Sequence, residues 1–249
     1  MPFELLVLLF FIIALIYSMI GFGGGSSYIA LLIFSGLSHH LVPPIALICN
    51  LIVVTGGTTY FLKYKLIPWP VILPFLVTSI PFAFFAGTIP ISQELYQGLL
   101  GVLLFLVSLR LLFSNNNSKS ELDTYKKPHR PLAWPLGAII GMVSGLIGIG
   151  GGIFLAPLLH LLKWLPAKKI AASAALFIFV NSLAGLCGQM QKGQMTTEIF
   201  AYTPLFLAVF LGGQIGSLLC HFKLSHTKIK KITALLILFV SCRLMYNTL

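Results

Sequence analysis

Carboxylates are scarce in this chain. Only five of 249 residues are acidic, Glu4, Glu94, Glu121, Asp123 and Glu198, and each lies near the end of an apolar run or between runs. No carboxylate stands where it would relay protons through the middle of a membrane, so a carboxylate-based proton antiport finds no support. Cysteine is rarer still. Cys49, Cys187, Cys220 and Cys242 fall singly in or at the ends of apolar runs, without CxxC or zinc-type histidine spacing, and read as reduced packing residues. HExxH, GxSxG, metal-spaced histidines and a Gly-Lys-Ser/Thr step after a glycine cluster are also missing. These absences argue against a zinc or serine hydrolase and a phosphate loop, so neither enzyme activity nor a cofactor is expected. The N-terminus has no basic stretch and no small-x-small site, which argues against a removable signal peptide.

What the chain has in excess is hydrocarbon. With 58% hydrophobic and 8% charged residues and a mean hydropathy of +1.00, it reads as an all-α integral membrane protein whose partner is the lipid bilayer. Sixteen Lys and Arg give a net charge of +11. They sit in short gaps between apolar runs, the pattern of membrane orientation and not of nucleic-acid binding.

Eight apolar segments follow in order: 3–36, 41–62, 68–87, 95–113, 132–162, 168–190, 197–220 and 229–247. The first and fifth are too long for one crossing, since roughly 32 residues make a helix about 48 Å long against a hydrocarbon core of about 30 Å. Each is interrupted by glycines: Gly21-Phe22-Gly23-Gly24-Gly25, and 127 residues later Gly148-Ile149-Gly150-Gly151-Gly152. Irregular backbone survives in hydrocarbon only inside protein or beside a cavity, so both breaks are expected to line a site. Basic residues decide how the broken segments run. As single crossings they divide the Lys and Arg nine against seven, which specifies no orientation; as hairpins they divide them fourteen against two. Hairpins are therefore expected, with both termini outside and the gap after the fourth segment cytoplasmic.

The halves read as a repeat. Residues 1–113 form a first transmembrane repeat, 114–131 a hydrophilic linker with Asn115, Asn116 and Asn117, and 132–249 a second repeat. Val107-Ser108-Leu109-Arg110-Leu111 mirrors Val240-Ser241-Cys242-Arg243-Leu244, and Asn50 and Asn181 fall in equivalent segments. A hairpin plus three crossings is an odd unit, so the second copy would be inverted relative to the first, as in many carriers.

Within this frame the breaks suggest an anion. Helices starting after Gly23, Gly24 and Gly25 and after Gly150, Gly151 and Gly152 would present unpaired N–H groups and positive dipole ends, with Ser26 and Ser27 adding hydroxyls in the first half. The alternative is that glycines only let helices pack closely, which is the expectation for Gly141 with Gly145 and Gly212 with Gly216. Asn50 and Asn181 either donate to the anion or lock the hairpin backbone. Ser182, with Thr55, Thr58 and Gln189 in the same segments, is a further candidate, although Ser and Thr often bond their own helix. His39 and His40 fit an interfacial role, and Arg110 and Arg243 fit snorkelling to headgroups.

Two GxGGG clusters in matching contexts, Ser79-Ile80-Pro81-Phe82-Ala83-Phe84-Phe85-Ala86-Gly87, Ala156-Pro157-Leu158-Leu159, and Phe177-Ile178-Phe179-Val180-Asn181-Ser182-Leu183-Ala184-Gly185-Leu186 carry a resemblance. The chain resembles the sulfite exporter TauE/SafE family across both halves. One departure is Ala30, which stands where the second half has Pro157, so the two hairpins are expected to differ in their kinks. The resemblance implies a secondary carrier in the cell inner (plasma) membrane for a small anion, sulfite or an organosulfonate such as sulfoacetate. A passive anion channel, a carrier of a non-sulfur carboxylate, and a homodimeric assembly stay open.

Overall fold

The structure is a computed structural model that describes residues 1–113, 128–192, 197–219, 238 and 241. Most of the expected linker and of the eighth segment lie outside the described residues, as do Lys223, Lys228 and Arg243. The described residues are helical, with no strand among them. In order the helices are α1 (Phe3–Ile20), α2 (Gly25–Phe34), α3 (Val42–Lys63), α4 (Trp69–Thr88), α5 (Gln93–Phe113), α6 (Arg130–Ile147), α7 (Gly152–Leu162), α8 (Ala167–Gln191) and, after a 3-10 turn at Thr197–Tyr202, α9 (Thr203–Leu218). Four stretches are long and apolar enough to cross a membrane: Val42–Lys63, Trp69–Thr88, Ala167–Gln191 and Glu198–Leu218. The outer surface is hydrocarbon, with Phe85 63%, Phe200 76% and Leu218 77% exposed, as a lipid-facing belt requires.

The glycine clusters end one helix and start the next. α1 stops at Gly21 and α2 begins after Gly24; α6 stops at Gly148 and α7 begins after Gly151. Gly24 at φ +89° and Gly151 at φ +78° are left-handed N-caps, a conformation that side chains with a Cβ resist. Each break reverses its chain. Tyr28, just inside α2, stacks on Phe10 of α1 with ring centroids 4.8 Å apart, and Tyr17 and Ser27 share a hydrogen bond of 3.0 Å. Gly24 lies against Ile13, and 127 residues on, Gly151 lies against Ile140, so both breaks fold back over the same helical turn. α2 and α7 have 10 and 11 residues, and Pro157 lies inside α7.

Two opposite ends of the bundle carry distinct sets of loops. At one end Phe61 and Ile67, flanking the α3–α4 loop, pack with Trp164, Leu165 and Ile170 around the α7–α8 turn, and Phe75 lies 6.2 Å from Trp164. At the other end His39 and His40 of the α2–α3 loop meet Ile91 of the α4–α5 connection, Tyr96 in the first turn of α5, and Gln189 and Lys192 at the end of α8. α3 and α8 therefore run in opposite directions between the two ends.

Close helix contacts are made through glycine. Methyl groups at Gly137, Gly141 and Gly145 of α6 would collide with the backbone of Phe75, Ser79 and Ala83 of α4, at spacings only small residues permit. Gly212 and Gly216 of α9 sit in the same way on Phe11 and Leu15 of α1, and Gly188 of α8 sits on Phe84 of α4. Ser108 Oγ donates to Phe105 O at 2.7 Å and Ser241 Oγ to Leu238 O at 2.8 Å, the local bond that Ser18, Ser35, Ser79 and Ser217 also make.

Candidate anion site at the meeting of the two breaks

The two glycine breaks come together at Asn50. This residue is fully buried in α3, and its Nδ2 donates to the carbonyl of Ile149, inside the second break, at 2.9 Å. Its Oδ1 also lies against the first break, where a methyl at Gly23 would stand 2.6 Å from it. A methyl at Gly25 would stand 2.5 Å from Asn50 Nδ2 and 2.6 Å from Ile149 O; one at Gly150 would stand 2.9 Å from Asn50 Nδ2 and 2.7 Å from Ser182 Oγ. Gly23, Gly25 and Gly150 thus surround one amide, with Ile178 and Ser182 of α8 closing the side. No side chain larger than hydrogen fits at these positions while the breaks touch.

Gly24, Gly151 and Gly152 face elsewhere. Gly24 is covered by Ile13 and Tyr28, Gly151 by Phe177 and Ile140, and Gly152 by Ile178. Ser26 is buried in the first turn of α2, and the Ser27 hydroxyl is engaged with Tyr17. Asn181, at the position equivalent to Asn50, does not cross to the other half: its Nδ2 donates to Phe177 O in its own helix at 2.9 Å. The two asparagines match in sequence and differ in bonding.

The polar inventory at this point is incomplete. Asn50 Oδ1 and Ser182 Oγ are buried there without a hydrogen-bond partner, each costing about 1–3 kcal/mol while unmet; Asn181 Oδ1, Ser144 Oγ, Thr58 Oγ1 and Tyr28 Oη are buried and unmet elsewhere in the bundle. Neither α2 nor α7 has a side-chain N-cap bond; the amides of Ser27 and Phe154 turn back to the carbonyls of Gly24 and Gly151, which leaves those of the first two residues of each helix as donors. Two positive dipole ends, hydroxyls and amide oxygens make a neutral set able to hold an oxyanion, the amide oxygens accepting from any proton it carries. Burying a fixed cation would cost several kcal/mol, and none is present here.

Two residues brace this region from outside it: Gln189, already a candidate in the sequence, and Tyr96, which carried no local signal. Tyr96 Oη donates to Ile147 O at 3.2 Å and Gln189 Nε2 to Gly145 O at 3.2 Å, so residues of α5 and α8 hold the end of α6 just before its break. Thr55, by contrast, bonds the carbonyl of Leu51 in its own helix.

Comparison with known proteins agrees with this architecture. Residues 6–244 match the family model described as sulfite exporter TauE/SafE. The chain is 32% identical over 242 residues, 97% of each chain, to the probable membrane transporter protein y4hK of Sinorhizobium fredii. It is 26% identical over 273 residues, 99% of this chain and 98% of the other, to the probable membrane transporter protein YunE of Bacillus subtilis. Toward the probable membrane transporter protein MamO of Paramagnetospirillum magneticum it is 23% identical, matching 80% of its own length to 38% of that protein. No solved structure matches. With its apolar helices, its paired glycine breaks and a family match over nearly its whole length, the chain is a multi-pass membrane protein that belongs to the sulfite exporter TauE/SafE family.

Proposed function

We propose that the chain is a secondary carrier for a small anion, sulfite or a short organosulfonate, bound by neutral donors where the two breaks meet. The observation that carries this reading is the convergence of two uncapped helix starts on Asn50 and Ser182, with buried polar atoms left unmet. The names of its relatives, probable membrane transporters, point the same way.

The arrangement of loops supports two inverted halves. If each broken segment crossed the membrane once, His39 and Lys192 would lie on opposite faces; they line one recess. Hairpins put them on the same face, and likewise put the α3–α4 loop with the α7–α8 turn. A hairpin then enters from each face, and Asn50 of α3 bonds the second break while packing against the first. Tight apposition at Gly25 and Ile149 favours a carrier over an open pore, because passage requires the breaks to part. Rocking one half against the other would part them on one side at a time.

The test is uptake of labelled sulfite and of methanesulfonate into proteoliposomes, with and without a pH gradient. Saturable uptake of either, competed by the other, is expected. Uptake that rises linearly with concentration would establish a channel, and no uptake of either anion would overturn the substrate class.

A further inference from the structure

Charge is divided between the two ends of the bundle. Among the described residues the three carboxylates lie at the end of His39. Glu94 opens α5 beside Tyr96, Glu198 lies in the 3-10 turn after α8, and Glu4 follows Phe3, whose ring is 6.3 Å from that of Tyr202. At the opposite end Lys63 closes α3, Lys65 follows in the loop, and Lys168 and Lys169 open α8, all four exposed. α3 and α8 run antiparallel, with Leu47 against Gly185, and with Asn50 and Ser182 both within reach of a methyl at Gly150. Continued outward, that register brings Lys63 level with Lys169, and Phe61 and Ile170 share one apolar cluster just beneath.

The local fold does not call for lysine at these positions. Lys65 has a left-handed backbone, φ +52°, which glycine adopts more easily. Lys168 and Lys169 stand in the first turn of α8, where the helix dipole disfavours a cation and neither an acidic residue nor a side-chain cap offsets it. α4 also starts at this end without an acidic first turn, so its dipole adds to the positive field. The depth of these charges is that of a membrane interface. All three tryptophans of the chain lie at the same end: Trp69 opens α4, Trp134 is near the start of α6 alongside it, and Trp164 lies in the α7–α8 turn. Trp69 and Trp134 are exposed, as tryptophan is where hydrocarbon meets headgroups.

We propose that this face is a docking surface for an anionic phospholipid, its phosphodiester held between the Lys63 and Lys65 pair and the Lys168 and Lys169 pair, its acyl chains in the lipid beside Trp69. Charge complementarity selects the occupant. Four exposed ammonium groups, with no described carboxylate at their end, stand at the depth where a bilayer supplies phosphate. Because the surface is open, no enclosed cavity is needed, and a soluble anion, free to diffuse away and screened by salt, is held less well than one anchored in the bilayer. A lipid so bound ties the end of α3 to the start of α8, the helices that carry Asn50 and Ser182. This surface is independent of what the chain carries.

Because every tryptophan lies at the basic end, tryptophan fluorescence reads that end alone. The full chain is placed in mixed bilayers of phosphatidylglycerol and phosphatidylcholine in which one lipid or the other is brominated on its acyl chains. The two quenching curves give the affinity of the anionic lipid relative to the neutral one. Phosphatidylglycerol is expected to be favoured about fivefold or more, fivefold being the factor that one lysine near an anionic headgroup contributes. Raising the salt from about 0.05 to about 0.5 M should reduce the preference, because screening tightens. Lys63→Gln with Lys65→Gln, and separately Lys168→Gln with Lys169→Gln, should each lower it several-fold. Lys168→Arg with Lys169→Arg should keep it, as should Lys192→Gln at the opposite end. A relative affinity near one, indifference to both glutamine pairs, or an equal loss in Lys192→Gln would overturn the surface. Preference abolished by millimolar inorganic phosphate would reveal a site for soluble phosphate and overturn the lipid as its occupant. Should a glutamine pair fail to insert, the salt series on the unmodified chain decides, and a preference that salt leaves unchanged would overturn the charge pairing.

Discussion

Gly25→Ala adds one methyl group at the point where the two halves touch. Gly25 is the first residue of α2 and has an ordinary helical backbone, so the substitution acts through space and not through strain. The new carbon would lie 2.6 Å from Ile149 O. An ordinary carbon contact begins near 3.4 Å, so the second break must retreat by roughly 0.8 Å, enough to stretch the 2.9 Å Asn50–Ile149 bond beyond hydrogen-bonding range. Overpacking of this kind costs about 1–3 kcal/mol and the lost bond about 1 kcal/mol more, against a gain of about 0.5–1 kcal/mol from replacing glycine by alanine in a helix. The net is about 1–3 kcal/mol against the apposed state. That shifts the balance between touching and parted breaks by about 5- to 150-fold. Asn50→Ala removes the side-chain part of the collision and leaves the carbonyl part, so the double mutant should be less destabilised than the two single effects combined. Thermal unfolding of purified protein gives the stabilities and proteoliposome uptake gives the turnover. Gly98→Ala, with nothing within 4 Å, is the control and should be neutral or slightly stabilising. Equal stability and turnover in Gly25→Ala and Gly98→Ala would refute the claim that the breaks meet there.

Asn50→Ala leaves the Ile149 carbonyl without its donor and should cost about 1–3 kcal/mol by thermal unfolding, whereas Asn181→Ala removes only a bond to its own helix and should cost less than about 1 kcal/mol. Gly151→Val forces a β-branched residue to φ +78° and against Phe177 at 2.7 Å; flux should be abolished while membrane insertion, followed by fractionation, persists. Gly145→Val drives side-chain atoms into the Ala83 backbone and should separate α4 from α6, seen as loss of folded protein in detergent.

Much of the architecture was legible because it is written locally. Four glycines in five positions cannot continue a helix comfortably, and they return after 127 residues; the structure breaks α1 from α2 and α6 from α7 at those points. Segment ends read from hydropathy fall within a few residues of α3, α4, α5 and α8. The site was legible only as a list of residue types. Asn50 and Ile149 are 99 residues apart, and nothing near either specifies the other as its partner. Sequence symmetry even points away from the difference between Asn50, which crosses to the opposite break, and Asn181, which bonds at home. Tyr96 was hidden for another reason: it lies at the start of an apolar run, where an aromatic residue is ordinary, and its hydroxyl gains a role only when α5 packs against Ile147.

The central structural claim is that the hairpins approach from opposite faces of the membrane. Single cysteines at Lys65 and Lys168, both exposed at one end of the bundle, and at Ser38 and Gln191, both exposed at the other, can be labelled in intact vesicles with an impermeant maleimide. Lys65→Cys and Lys168→Cys should react from one side, and Ser38→Cys and Gln191→Cys from the opposite side. Labelling of positions 65 and 168 from opposite sides would mean that each broken segment crosses the membrane, and would contradict the meeting of two hairpins at Asn50.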